Sequence, residues 1–361
     1  MKICEIIPDL ESGGAENFIV NLSNELATYT NVEIEVLTFY PVPKDNYLYK
    51  KLSNKIKITS YHKKLGIDLR VLFWVYKHIK KNKIDIAHFH VHSIIYAFLS
   101  VFMQRSCKCF ATIHNNAYKE ASGIHRLARR LMFKSGQMIP ITISEESKRS
   151  FVELYGGNPA LIYNGVPDYI QQEEVDLGEY KRDDNTQVFI QVATIQPVKN
   201  QVAVAKAFNK LHNDGYNVSV VFVGRLKNKE YSEELLKECS PSVFVLGEKS
   251  NPRDYMRASD YFILASQYEG MPISLLEALS VGCIPMVTPV GGNINVITDN
   301  YNGYIIPATD VDSIYHRIVD VLEEQEENKF QILENIQYAS TKYSISECAK
   351  LHLSLFDSHL S

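Results

Sequence analysis

The sequence predicts an α/β protein made of two doubly wound parallel sheets in tandem. Short apolar runs rich in Ile, Val and Phe recur along the chain, separated by stretches with helical spacing. The series pauses once, at the polar stretch Gln171–Thr186, and then begins again. Each half opens strand, loop, helix. With 361 residues the chain is long enough for two full cores.

Bulk composition narrows the class. Hydrophobic residues make up 45% and charged residues 22%, as in soluble globular proteins. No apolar run nears the roughly 20 residues needed to span a bilayer. Glu5 and Asp9 interrupt any signal-like apolar segment at the start, so a cytoplasmic location is expected. Six cysteines are scattered with no Cys-x-x-Cys pair, which argues against both a disulfide framework and a zinc ribbon. The net charge of −4 conceals an asymmetry. Residues 1–168 carry 22 basic against 15 acidic side chains, and residues 169–361 carry 16 against 27. A basic first half suits an anionic partner, such as a membrane surface or a phosphate-bearing acceptor; drift of surface charge also accounts for it.

The first strand, Lys2–Ile7, leads through Pro8 to Gly13-Gly14-Ala15-Glu16 and a helix carrying Phe18, Leu22 and Leu26. Backbone N–H groups at such a helix start suit an anion, and glycines let a ligand approach closely. The Gly-x-Gly-x-x-Gly spacing of dinucleotide sites is absent. Strands are expected at 32–38, 56–59, 84–90, 109–113 and 140–143, then, after the linker, at 188–193, 218–223, 243–246, 261–265, 284–287 and 304–306. Residues 345–360 have helical spacing at Cys348, Leu351, Leu355 and Phe356, and Glu323–Glu327 reads as a solvated helix end.

After the strand at 261–265 come Glu269 and Glu277, eight positions apart, with Gly270 and Pro272 between them. Those two residues exclude one helix through both acids. Glu269 is therefore expected on the loop at a strand's carboxyl end, where open α/β sheets bind ligands, and Glu277 in the first turn of the next helix. Ser274-Leu275-Leu276-Glu277 also reads as a capping box, with Ser274 as N-cap. His88, His90 and His92 alternate along a strand, a spacing open to a metal, but no Cys or carboxylate adjoins them in sequence. Asp310-Val311-Asp312 more readily caps a helix than clamps a metal. The basic stretch Ser122–Lys134, with Ile124, Leu127, Leu131 and Met132 at helical spacing, fits either a core helix or one lying on an anionic membrane.

Taken together, these motifs resemble the retaining GT-B glycosyltransferases of glycosyltransferase family 4, the group 1 transferases. Glu269 and Glu277 match the family's Glu, seven residues, Glu signature. Gly13-Gly14 resembles its first glycine loop, Asn164-Gly165-Val166 its pre-linker segment, and Pro197-Val198-Lys199-Asn200 its phosphate-lysine region. Gly282–Pro285, Gly291-Gly292 and Asn302-Gly303 match later markers. The resemblance implies two Rossmann-like domains facing a deep cleft: an acceptor-binding domain at 1–168, a nucleotide-sugar domain at 169–344, and a helix at 345–361 packing back on the first.

It also implies transfer of a hexose or N-acetylhexosamine from a nucleoside-diphosphate sugar, such as a UDP-sugar, to a glycan acceptor. That acceptor is expected to be lipid-linked or a polysaccharide, as in capsule, O-antigen, lipopolysaccharide or exopolysaccharide assembly. The resemblance implies no cofactor and no metal, and the enzyme is placed in the cytoplasm or peripherally on the membrane's inner face. Glu269, His114 and Lys199 are the implied catalytic residues. The donor would be held by Gly14, Thr194, Lys199, Glu269, Gly270, Met271, Pro272, Ile273 and Glu277, with Glu269 on the hexose and Glu277 on the ribose. Gly13, Gly14, His114 and Asn115 would meet the acceptor. Two positions depart from the family pattern. Thr194 stands where members carry Arg, which replaces a bidentate phosphate fork by one hydroxyl, and Gly291-Gly292 lacks the usual following Pro-Glu. The first departure motivates a second reading, a catalytically weak nucleotide-binding partner protein. A sugar-nucleotide epimerase on the same architecture is a third.

Overall fold

The computed structural model describes residues 1–361 except Ser12, Leu65, Ile67 and Ser361, with the Glu326 side chain also outside the description. The chain forms two compact units, one of Met1–Pro167 with Tyr343–Ser361 and the other of Asp168–Lys342.

The first unit holds a seven-stranded, wholly parallel sheet. Its strands are β1 (Lys2–Ile7), β2 (Glu33–Thr38), β3 (Lys57–Ser60), β4 (Ile86–His90), β5 (Lys108–Ile113), β6 (Met138–Thr142) and β7 (Ala160–Leu161), in the order β3-β2-β1-β4-β5-β6-β7. β1 and β4 are buried on both faces, which is why they read as continuous apolar runs instead of alternating. The two-residue β7 is too short to leave a periodic signal in sequence. The Ile345–Leu360 helix joins this unit by burying Cys348, Ala349, His352 and Phe356. Leu351, one of the positions that marked the helical spacing, is 46% exposed, and the adjacent His352 is buried.

The return to the first unit begins at Tyr343, two residues before the expected boundary. Val166 donates its N–H to the Tyr343 carbonyl, and the Ile345 N–H bonds to the Val166 carbonyl, each at 2.9 Å. A Cβ on Gly165 would lie 2.5 Å from the Ser344 carbonyl oxygen, so the Asn164-Gly165-Val166 segment needs its glycine for this close approach.

The second unit repeats the plan with six parallel strands. These are β8 (Gln187–Val192), β9 (Val218–Val223), β10 (Val243–Gly247), β11 (Tyr261–Leu264), β12 (Ile284–Val287) and β13 (Tyr304–Ile305), in the order β10-β9-β8-β11-β12-β13. The acidic stretch after the Val311–Leu322 helix leads directly into another helix, Glu326–Lys342. Asp310 caps the earlier one as expected, accepting from the Ser313 N–H at 2.9 Å. In both units strand order reverses between the first strand and the fourth, β1 beside β4 and β8 beside β11. Ligand crevices of doubly wound sheets lie at the carboxyl ends of such strand pairs.

Candidate active site

In the second unit the reversal point brings together the residues singled out from sequence. β8 ends at Val192 and runs through Thr194 into a short 3₁₀ turn, Pro197–Lys199; β11 ends at Leu264 and runs into Ser266–Pro272. The two loops are tied by the Gln267 N–H to the Val198 carbonyl, 2.9 Å. Lys199 Nζ donates to both carboxylate oxygens of Glu269, at 2.6 and 2.8 Å, and Ser266 Oγ donates to Glu269 Oε1 at 2.6 Å. The Glu269 side chain is 7% exposed and that of Lys199 19%. A cation and a carboxylate this dry are strongly coupled, and either one left alone would carry a large desolvation cost.

Gly291 and Gly292 form the floor under Glu269. Gly291 has φ +55°, and a Cβ there would collide with the Glu269 carbonyl; Gly292 donates its N–H to the Gly270 carbonyl at 2.6 Å. Only glycine permits both the left-handed backbone and that approach. Gly224, after β9, is held in the same way against the Ala193 carbonyl, and the Ile195 N–H bonds to the Arg225 carbonyl at 2.9 Å. Arg225 thus stands on the loop beside Thr194, a cation that motif matching overlooked because it comes from a different strand.

The capping-box expectation fails. The helix runs Ile273–Ser280 with Pro272 as N-cap and no side-chain cap, so Ser274 lies inside it and Glu277 is its fifth residue, past the first turn. Pro272 has extended backbone and no N–H to satisfy, which suits it to the position before the helix. The Glu277 carboxylate is half-buried and acts electrostatically on Arg253. Met271 and Ile273 are buried at this helix start. Thr194 contributes its carbonyl to Gln201 Nε2 at 3.1 Å.

In the first unit the glycine loop follows β1, with Gly13 as N-cap of the Gly14–Leu26 helix and packed against the Glu16 carboxylate. His114 and Asn115 follow β5. The Asn115 N–H bonds to Glu120 Oε1 at 2.9 Å, and its side-chain oxygen accepts from the Asn116 N–H at 2.7 Å.

The histidine run is corrected twice. β4 ends at His90 and Val91 turns with φ +46°, so His92 leaves the strand face and is exposed. A carboxylate does adjoin the remaining pair: Glu5, in register with His88 across β1 and β4, is fully buried and lies 3.0 Å from His88 Nδ1 and 2.7 Å from His90 Nε2. Burial alone would raise the Glu5 pKa, but the two imidazoles outweigh it and hold it well below the ordinary carboxylate range. The available signal was an acid inside an otherwise apolar strand.

Two doubly wound parallel sheets, the second with a lysine, a buried glutamate and a glycine floor at its strand-end crevice, give the chain the GT-B architecture and a candidate ligand site. Residues 172–337 match the family described as glycosyl transferases group 1, and residues 12–168 match Glycosyltransferase Family 4. The chain belongs to this group 1, family 4 class of glycosyltransferases. It is 26% identical over 281 residues to an Escherichia coli UDP-Gal:alpha-D-GlcNAc-diphosphoundecaprenol alpha-1,3-galactosyltransferase, covering 72% of this chain and 71% of the relative. A Campylobacter jejuni GalNAc-alpha-(1->4)-GalNAc-alpha-(1->3)-diNAcBac-PP-undecaprenol alpha-1,4-N-acetyl-D-galactosaminyltransferase is 24% identical over 98% of each chain. Among solved structures, Anabaena Alr3699/HepE in complex with UDP and glucose superposes with a TM-score of 0.81 at 17% identity, covering 99% of this chain and all of that one.

Proposed function

We propose that this glycosyltransferase takes a hexose or N-acetylhexosamine from a UDP-sugar and adds it, with retention, to a diphosphoundecaprenol-linked glycan. The observation that carries this reading is the Lys199–Glu269 pair at the β8/β11 reversal point. A bound diphosphate competes with Glu269 for the Lys199 ammonium, which then neutralises the charge growing on the leaving group. Glu269, released from the pair but still held by Ser266, accepts hydrogen bonds from the hexose, and Glu277 accepts from the ribose. The bond from C1 to the diphosphate oxygen breaks, the acceptor oxygen bonds to C1 on the same face, and the acceptor's proton passes to the departing diphosphate. This scheme assigns the phosphate charge to Lys199 and Arg225 and needs no metal, so turnover is expected to survive EDTA. The lipid-linked acceptors named for the relatives support the acceptor class.

The same reading places the first unit on an anionic membrane surface. The helix Gly123–Lys134 was open to a core role, yet Ile124, Leu127 and Leu131 are 65, 58 and 49% exposed, and only Met132 of the four apolar positions is buried. It packs beside the helix Phe98–Met103, which packs beside Leu69–Asn82. Those two helices expose Phe102, Met103, Leu69 and Phe73, and none of the three contains an acidic residue. Exposed apolar side chains interspersed with Arg126, Arg130, Lys134, Lys77 and Lys80 fit an interfacial surface. No helix among the described residues is long and apolar enough to cross a membrane. Turnover of UDP-sugars on a diphosphoundecaprenol-linked acceptor tests the proposal; donor binding without transfer to any such acceptor would refute it.

A further inference from the structure

Glu5 heads a hydrogen-bonded chain that the scheme above leaves unused. Its Oε2 lies 2.7 Å from His90 Nε2, and His90 Nδ1 lies 2.9 Å from His114 Nε2. Glu5, His88 and His90 are fully buried, whereas His114 is partly exposed just past the end of β5. His88 flanks the chain, with Nδ1 on Glu5 and Nε2 2.7 Å from Thr112 Oγ1. His352 of the Ile345–Leu360 helix closes the cluster: its ring is 5.6 Å from His88, and its Nδ1 donates to the Cys348 carbonyl at 2.8 Å. The Phe18 ring covers His114 from the Gly14–Leu26 helix at 5.9 Å.

The chain imposes an order on the protons. An ionised carboxylate only accepts, so His90 Nε2 carries the hydrogen it donates to Glu5. In a neutral His90, Nδ1 then has only a lone pair, and His114 Nε2 must be the donor across the 2.9 Å contact. A neutral His114 protonated at Nε2 has a bare Nδ1, for which no partner is found among the described residues. Burial, then the neighbouring His88, pulls His90 down to about 4, and burial likewise holds His114 well below its ordinary value, so both rings are neutral near pH 7.

We propose that Glu5 and His90 are positioning residues that lock His114 as its neutral Nε2–H tautomer, so that Nδ1 accepts a hydrogen bond from a sugar hydroxyl. The sugar contact rests on the glycosyltransferase reading above; the tautomer does not. Glu5 thereby acts at a distance, through His90, on a residue at the carboxyl edge of the sheet. A hydroxyl is selected as the group His114 can meet, because a bare imidazole nitrogen offers nothing to a carbonyl or a phosphate oxygen.

Long-range 1H–15N correlation spectra of histidine-labelled full-length enzyme at pH 7.5 read the tautomer directly. The expected wild-type result is a pyridine-type Nδ1 and a pyrrole-type Nε2 at His114, and a spectrum with Nδ1 protonated overturns the proposal. In His90→Phe and Glu5→Gln the His114 pattern should move toward the other tautomer while kcat falls by about 10-fold or more and donor KM stays within a few-fold. Unchanged His114 shifts in both folded variants also overturn it. Should neither variant fold, the wild-type spectrum decides alone. Full turnover by His114→Ala, with the wild-type tautomer as expected, removes the sugar contact and leaves the positioning chain intact.

Discussion

Lys199 and Glu269 exclude each other's solvent and satisfy each other's charge, so each is a sensitive point for substitution. Lys199→Ala is expected to lower kcat/KM by about 100-fold or more, since the proposed scheme gives Lys199 the charge that develops on the leaving diphosphate. A steady-state assay with saturating acceptor measures this, and near-wild-type turnover would remove Lys199 from the mechanism. Arg225→Ala tests the second cation to which the proposed scheme assigns the phosphate charge, on the loop beside Thr194. Donor KM should rise by about 10-fold with little change in melting temperature, because the loop itself is held by backbone hydrogen bonds. Gly291→Ala should instead cost about 2 kcal/mol or more of stability, its methyl having no place beside the Glu269 carbonyl at positive φ. Thermal unfolding of the purified variant checks it. Most of these residues were legible as motif members in sequence. Arg225 and Glu5 were not, because each owes its importance to a neighbour contributed by another strand.

At the scale of the element, the helix Gly123–Lys134 shows how periodicity identifies a helix without identifying what covers it. Apolar spacing was correct, but the core takes Met132 and Arg129, the latter paired with Glu120 at 2.8 Å, and leaves Ile124, Leu127 and Leu131 outside. Replacing those three by Glu is expected to abolish flotation with anionic vesicles while leaving unfolding within about 0.5 kcal/mol of wild type, as for exposed positions in general. Equal recovery of wild type on neutral and anionic vesicles would sink the membrane assignment. The helix Ile273–Ser280 gives the complementary case. A Ser-x-x-Glu pattern was present, yet Pro272 starts the helix two residues before the Ser could cap it.

For the whole molecule, the buried cluster around Glu5 predicts an acid-sensitive first unit. His90 and His352 have folded values drawn down to about 4 and about 3 by burial, below the ordinary 6.5, so on acidification the unfolded chain takes up their protons first. Their contribution is therefore full above pH 6.5 and is lost as pH falls toward those values, at about 1.4 kcal/mol per unit per group. Glu5, lowered in the fold, adds a loss in the same direction once pH drops below its ordinary 4.5. Trp74, the chain's single tryptophan, lies in this unit and reports it. Its fluorescence midpoint on heating should fall steadily from pH 7 to pH 5, and a midpoint flat over that range would contradict the assignment.

The sequence by itself determined the two parallel sheets and the Glu269–Glu277 signature. Strand runs buried on both faces are local demands that the composition of each run already carries. Which side chains meet was decided only by the fold. Strand order set β1 beside β4 and β8 beside β11, bringing Glu5 to His90 and Lys199 to Glu269 across separations of 85 and 70 residues. Electrostatic coupling depends on distance in space and on burial, and neither is written in the spacing of residues along a chain.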